Sequence, residues 1–185
     1  MRNLLIVVSG PSGVGKGTIV NRLLKSGQYS LSISCTTRAP REGEKDGVHY
    51  FFVSEEKFRS MIKEGGFLEY SNHFAHMYGT PRFFVEEQLK SRNVILEIDV
   101  DGALQVKKAH PEALLIMIAP PSEEELIKRL KRRGTESDEK IAERVSRMNY
   151  ELSKSGEYDC TVVNDDLEEA VLKVEEIINS KRRLK

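Results

Sequence analysis

Residues 10–18 read Gly-Pro-Ser-Gly-Val-Gly-Lys-Gly-Thr, and no other stretch limits the possible folds as much. An apolar run from Leu4 to Val8 leads into it. An amphipathic segment carrying Ile19, Val20, Leu23 and Leu24 leaves it and ends at Gly27. A short buried strand, a glycine-rich turn and a helix are the parts of a phosphate-binding loop. Gly10, Gly13 and Gly15 let backbone N–H groups turn inward around an anion. The helix that follows aims its positive end at the same place. Lys16 adds a point charge for the outer phosphates, and Ser12 and Val14 complete the loop. One position departs from the usual pattern. Gly17 follows Lys16 where a serine or threonine is common, so the hydroxyl that would meet Mg²⁺ moves to Thr18.

The rest of the chain shows what this loop is mounted on. Val94–Val100, Leu114–Ala119 and Thr161–Val163 are short apolar runs of the kind buried in parallel sheets. Helical patterns lie between and after them. Ser122 with Glu125 predicts a capping box opening a helix through Arg133. Leu167, Ala170, Val171, Val174, Ile177 and Ile178 form a helical stripe. Strands alternating with helices predict an α/β fold of three layers, with a central parallel sheet covered on both faces. Residues 29–72 break the rhythm. Tyr29, Leu31 and Ile33 alternate with serines, Val48–Val53 is a second strand run, and Ser54–Glu64 is amphipathic with Phe58, Met61 and Ile62 on one side. Thr80-Pro81 predicts a helix start, with the threonine as N-cap. The expected organisation is a single domain with core 1–33 and 81–185, and an inserted subdomain over about 34–80.

Charge and cysteine content narrow the class. Lys and Arg number 29, Asp and Glu number 29, and the formal net charge is zero. A dedicated nucleic-acid binder would show a basic excess. The two cysteines, Cys35 and Cys160, are too few for a disulfide framework. The apolar run near residue 4 is too short for a signal sequence or a membrane span. The cytoplasm is the expected compartment.

Beyond the loop, Thr36-Thr37-Arg38, Arg41, Glu44, Gly47 and Tyr50-Phe51-Phe52 fall at the spacing of the signature segment of guanylate kinases. Phe67-Leu68-Glu69-Tyr70 and Tyr78-Gly79-Thr80 resemble that family's second guanine-site segment. Leu96–Val100 resembles its acidic strand. Arg129-Leu130, Arg133-Gly134-Thr135, Ile141 and Arg144 resemble its arginine-rich lid, here about 129–150. Asp159 and Val163–Asp166 resemble its adenine-side strand end. Asp101 stands where many relatives carry glutamine. The resemblance spans the whole chain. It implies reversible phosphoryl transfer from ATP to GMP, and to dGMP as well, with Mg²⁺ as cofactor. It implies no nucleic acid, membrane or obligate protein partner.

The residues make chemical sense in those roles. A monophosphate is a dianion that needs convergent donors. Arg38 and Arg41 offer planar forks, and Tyr50 and Tyr78 offer hydroxyls. The resemblance adds Glu44 and Gly79 to the acceptor site. Guanine presents N1–H and N2–H₂ as adjacent donors, which the Glu69 carboxylate can accept together. Adenine offers an acceptor at N1 instead, so Glu69 would discriminate. Ser34 and Thr80 carry hydroxyls for O6. Glu97 and Asp99 are read on one face of the strand Val94–Val100, shared between the acceptor and the metal, with Thr18 and Asp99 as metal ligands, directly or through water. The resemblance implies phosphate contacts for Arg129, Arg133 and Arg144, and an adenine-side contact for Asn164. Lys16, Arg38 and these three lid arginines would neutralise the transferring group. Two alternatives remain at this level. One is a kinase of another small phosphorylated acceptor; the other is a binding module for phosphopeptides that has lost catalysis.

Overall fold

The computed structural model describes residues 3–73, 76–132 and 138–183. Its centre is β1, Leu5–Ser9, buried along its whole length. Ile6 and Val8 face one hydrophobic cluster, while Leu5 and Val7 face another on the opposite side of the sheet. This two-sided burial explains why the strand reads as a continuous apolar run rather than an alternating one. The other strands of the sheet are β2 (Tyr29–Leu31), β7 (Asn93–Glu97), β8 (Leu114–Ala119) and β9 (Cys160–Val163). Their spatial order is β2-β7-β1-β8-β9, and every pairing is parallel.

Helices cover both faces. On one side lie α1 (Lys16–Leu24), α5 (Glu123–Arg132), α6 (Asp138–Ser153) and α7 (Leu167–Arg183), whose apolar residues share a core with Ile6 and Val8. On the other lie α3 (Arg82–Leu89) and α4 (Val100–Ala109), which enclose Leu5, Val7, Leu96 and Leu115. The α/β class with a central parallel sheet between helical layers is the architecture expected from the sequence.

A second sheet interrupts the pattern between β2 and α3. It contains β3 (Cys35–Thr36), β4 (Phe51–Phe52), β5 (Phe67–His73) and β6 (His76–Pro81), in the order β4-β3-β6-β5. Its own small core forms around Cys35, Phe58, Phe67 and Met77, against α2 (Glu55–Lys63). The rings of Phe58 and Phe67 stack at 4.4 Å. Ser54 caps α2 by accepting the Lys57 N–H. This sheet is seated on α4. The Gln105 side chain accepts from the Tyr70 N–H at 3.2 Å and donates to the Tyr70 carbonyl at 3.0 Å. Leu68 points into the core beneath β1.

Tyr29–Leu31 belongs to the parallel sheet, paired with β7, and the chain leaves that sheet only after Leu31. Three local expectations are corrected. Asp99 is not on a strand. The strand ends at Glu97, and Asp99 is the N-cap of α4, its Oδ1 accepting the Gly102 N–H at 2.7 Å. The apolar Val100 that suggested a longer strand is the first buried residue of the helix. Thr80 lies in β6, and α3 begins at Arg82 with Pro81 as its N-cap, a residue with no side-chain acceptor to offer. Half of the capping box forms: Ser122 Oγ accepts from the Glu125 N–H at 3.2 Å, while the Glu125 carboxylate turns to Arg129.

Candidate active site

The phosphate loop leaves β1 at Gly10, whose φ of 136° brings its α-carbon against β8. A Cβ there would lie 2.1 Å from the Ile118 carbonyl oxygen, so only glycine fits. Gly15, at φ 95°, is the left-handed residue that opens α1. Behind it sits the buried Asn164, whose amide donates to the Val14 carbonyl at 2.7 Å. The sequence reading assigned Asn164 to adenine. The structure places its side-chain amide under the loop, where it fixes the loop's backbone. Lys16 Nζ curls over the turn, donating to Gly10 O at 2.5 Å and Pro11 O at 2.9 Å.

Glu97, at the end of β7, sits beside this loop. Burial raises its pKa, and the charge of Lys16 pulls it back down. Gly17 is what makes room for it: a Cβ at that position would come within 3.3 Å of Glu97 Oε1. The glycine that displaces the usual hydroxyl therefore admits a carboxylate to the same neighbourhood. Thr18 is exposed one residue further on. Hydroxyl and carboxylate oxygens are the hard donors that Mg²⁺ accepts, usually with one or two protein ligands besides phosphates and water. The donor set fits that ion. Among the described residues no cluster of three metal-ligating His, Cys, Asp or Glu side chains exists.

The second sheet supplies the opposite wall. Arg38 is held by Glu44 through a two-pronged ion pair, NH1 to Oε2 at 2.9 Å and NH2 to Oε1 at 2.8 Å. Glu44 also accepts the Arg41 N–H at 2.7 Å. The hydrogen bond from Arg38 leads in holding the Glu44 carboxyl down at about 2. The Arg38 guanidinium lies 5.5 Å from the Tyr50 ring centre and 5.9 Å from that of Phe52. Tyr50 and Tyr78 meet edge-on at 6.1 Å. Arg41 is exposed. The structure thus gives Glu44 a definite local task, aligning a guanidinium against two aromatic rings.

Glu69 is the buried acid of this wall, 5% exposed. Thr80 Oγ1 donates to its Oε1 at 2.6 Å. Its other oxygen, Oε2, faces the first turn of α4, where a Cβ on Gly102 would approach to 2.8 Å. Desolvation is the main cause of a pKa raised to about 7; the nearby Asp99 charge adds to it and Thr80 opposes it. Gly79 carries no side chain because β5 and β6 approach too closely there; a Cβ would meet Phe67 at 2.9 Å.

Both walls face one cleft of about 850 Å³. Gly10, Ser12 and Lys16 line one end. Ser34, Tyr50, Glu69 and Tyr78 line the other, with Glu97 and Asp99 between them. Helix α6 closes the side. Arg144 NH1 donates to Ser12 Oγ at 2.5 Å. Arg129 reaches from α5 to Glu125 Oε1 at 3.0 Å and to the Asn164 carbonyl at 2.9 Å. Arg133 lies outside the described residues. Asp159 precedes β9 at the end remote from Asn164, where it accepts from Lys107 Nζ and the Leu115 N–H. Sequence reasoning missed Arg147 and Glu151, which also line the cleft. Residues 144, 147 and 151 share one face of a helix, but that spacing is the same for a solvated face as for one that lines a cleft.

The comparisons with known proteins agree with this geometry. The guanylate kinase family model matches residues 2–181. A guanylate kinase of Parasynechococcus marenigrum is 51% identical over 173 residues, covering 92% of this chain and 95% of that protein. One from Caldanaerobacter subterraneus is 52% identical, covering 96% of this chain and 87% of that protein. The crystal structure of guanylate kinase from Anaplasma phagocytophilum superposes with a TM-score of 0.78 at 32% identity, covering 97% of this chain and 86% of that one. With the loop, the acceptor wall and near-complete coverage in agreement, this chain belongs to the guanylate kinase family.

Proposed function

We propose that this protein is an ATP:GMP phosphotransferase, acting reversibly on GMP and dGMP, with residues 34–80 as the acceptor unit and about 129–150 as the lid. The observation that supports this reading best is Glu69, a buried carboxylate across one cleft from a phosphate loop. Its carboxylate suits the two adjacent donors of guanine and opposes the acceptor that adenine would present. ATP takes the end at Gly10–Thr18, and GMP takes the end at Arg38, Tyr50, Glu69 and Tyr78. Arg38 and Arg41 receive the GMP phosphate, with Glu44 holding Arg38 in register.

A GMP phosphate oxygen attacks the γ-phosphorus in line. One P–O bond forms as the bond to the β–γ bridging oxygen breaks, and ADP departs with that electron pair. The nucleophile is already anionic, so no general base is required. The protein contributes position and preset positive charge from Lys16, Arg38, Arg129 and Arg144, with Arg133 assigned the same task by resemblance. Mg²⁺ bound with ATP would supply charge neutralisation, and Thr18, Glu97 and Asp99 are the residues that would hold it, directly or through water. The substrates are small and soluble and no described helix is long and apolar enough to cross a membrane, which supports the cytoplasm as the site of action. The test is ATP-dependent phosphorylation of GMP, dGMP, AMP, CMP and UMP side by side. GMP should give the highest kcat/KM. Faster turnover of AMP, or binding of GMP without turnover, overturns this reading.

A further inference from the structure

Helix α6 touches both ends of the cleft through different arginines. Arg144 reaches Ser12 in the phosphate loop. One turn further on, Arg147 turns the other way, toward the start of α4. Its NH2 lies 4.0 Å from Asp99 Oδ2 and 3.8 Å from Asp101 Oδ2. Its Nε donates to Glu151 Oε1 at 3.1 Å, and Glu151 is buried. Tyr150 OH donates to the remaining oxygen of Asp101 at 2.9 Å. Three successive contacts from one helix thus converge on two acids in the first turn of α4.

Those acids bear on the base end of the cleft. Asp99 splits its carboxylate: Oδ1 caps α4 at Gly102, and Oδ2 faces Arg147. Gly102 is in turn the residue against which Glu69 Oε2 rests. The cap, the glycine and the guanine-reading carboxylate form one contiguous set, and Arg147 lies at its outer end. Glu69, Asp99 and Asp101 are also like charges crowded together, and Arg147 is the cation between two of them.

We infer that Arg147 is a positioning residue which, acting through Asp99 and Asp101, couples ATP at the loop end of α6 to GMP at the base end. The inference rests on the kinase reading above for the identity of the two ligands. Nucleotide at the loop draws α6 down through Arg144, the same displacement seats Arg147 on Asp99, and Asp99 holds Gly102 and Glu69 in the arrangement that accepts guanine. The reciprocal must hold: GMP should tighten ATP by the same factor. Because Arg147 is about half exposed, the coupling is modest and screened by salt.

The test is calorimetric. GMP is titrated into the full chain with and without a non-hydrolysable ATP analogue, for the wild type, Arg147→Gln, Arg147→Lys, Asp101→Asn and the Arg147→Gln/Asp101→Asn double variant. Turnover and binding of GMP by the wild type come first; their absence overturns the kinase reading itself. Arg147→Gln should reduce the factor by which the analogue tightens GMP by about three- to fivefold, with affinity for the analogue alone unchanged. Asp101→Asn should do the same, the double variant should lose no more than either single one, and lysine should restore part of the effect. Tyr150→Phe, which removes one hydroxyl, serves if Arg147→Gln melts early. Undiminished coupling in the single variants, losses that simply add in the double variant, or a wild type without coupling each overturn the inference.

Discussion

Glu69 is held in its burial by two neighbours, a threonine that hydrogen-bonds it and a glycine that leaves it room. A solvated glutamate titrates near 4.5, and this one near 7. Between those values the folded chain keeps a proton that the unfolded chain has released. The contribution of Glu69 to stability therefore falls as pH rises through that window, and levels off above it. Glu69→Gln should be more stable than wild type at pH 8 by up to about 3 kcal/mol, and equal to it near pH 4, in urea melts at both values. Its kcat/KM for GMP should drop and should lose the rise through pH 7 that marks the free enzyme's carboxylate, leaving only the phosphate's own step near about 6. An unchanged profile would show that Glu69 does not read the base. Gly102→Ala tests the other neighbour. Its methyl would press within 2.8 Å of Glu69 Oε2, so KM for GMP should climb while KM for ATP holds. Lys16, Glu69 and the paired Arg38–Glu44 were legible as motif residues. Arg147 was not, because a lone arginine on a polar helix face has the same pattern whether it meets solvent or two carboxylates.

The elements differ in how openly the chain declares them. The buried strands β1 and β8 were plain, since strands covered on both faces must be apolar throughout. The boundary at Glu97–Asp99 was hidden: one apolar run continues from a strand into a helix, and only the aspartate's capping bond marks the turn. Tyr29–Leu31 alternates like a half-buried strand because it is the edge of the parallel sheet. The second sheet's integrity rests on a few aromatic contacts. Phe58 is fully buried against Phe67, and Phe58→Ala should cost about 3–5 kcal/mol. Because the parallel sheet has its own core, that variant should lose GMP turnover while still binding an ATP analogue, as read by calorimetry. Asn164→Ala, which frees the buried Val14 carbonyl, should do the reverse and raise KM for ATP first.

At the scale of the whole molecule, formal neutrality conceals a division of labour. Lys16 from the loop and Arg144 and Arg147 from α6 line one cleft, while Glu69, Glu97 and Asp99 lie among them. Ligands that fill this cleft join the two sheets, so GMP and an ATP analogue together should stabilise the fold by mass action. At about 100 times its dissociation constant, one ligand adds about 2.7 kcal/mol. The melting temperature should rise by roughly 5–10 °C in a calorimetric scan, more with both nucleotides than with either.

The contact between Gln105 and Tyr70 has a consequence of another kind. β5 is the outermost strand of the second sheet, and seven residues of unpaired backbone there would be a template for a foreign strand. The glutamine amide acts as a one-residue surrogate strand, filling the donor and the acceptor of Tyr70 at the middle of that edge. The opposite edge, β4, is only two residues long. The sheet proposed to admit a nucleotide is thereby closed to its own kind at both margins, and its resistance to aggregation depends on a side chain borne by a helix of the other layer.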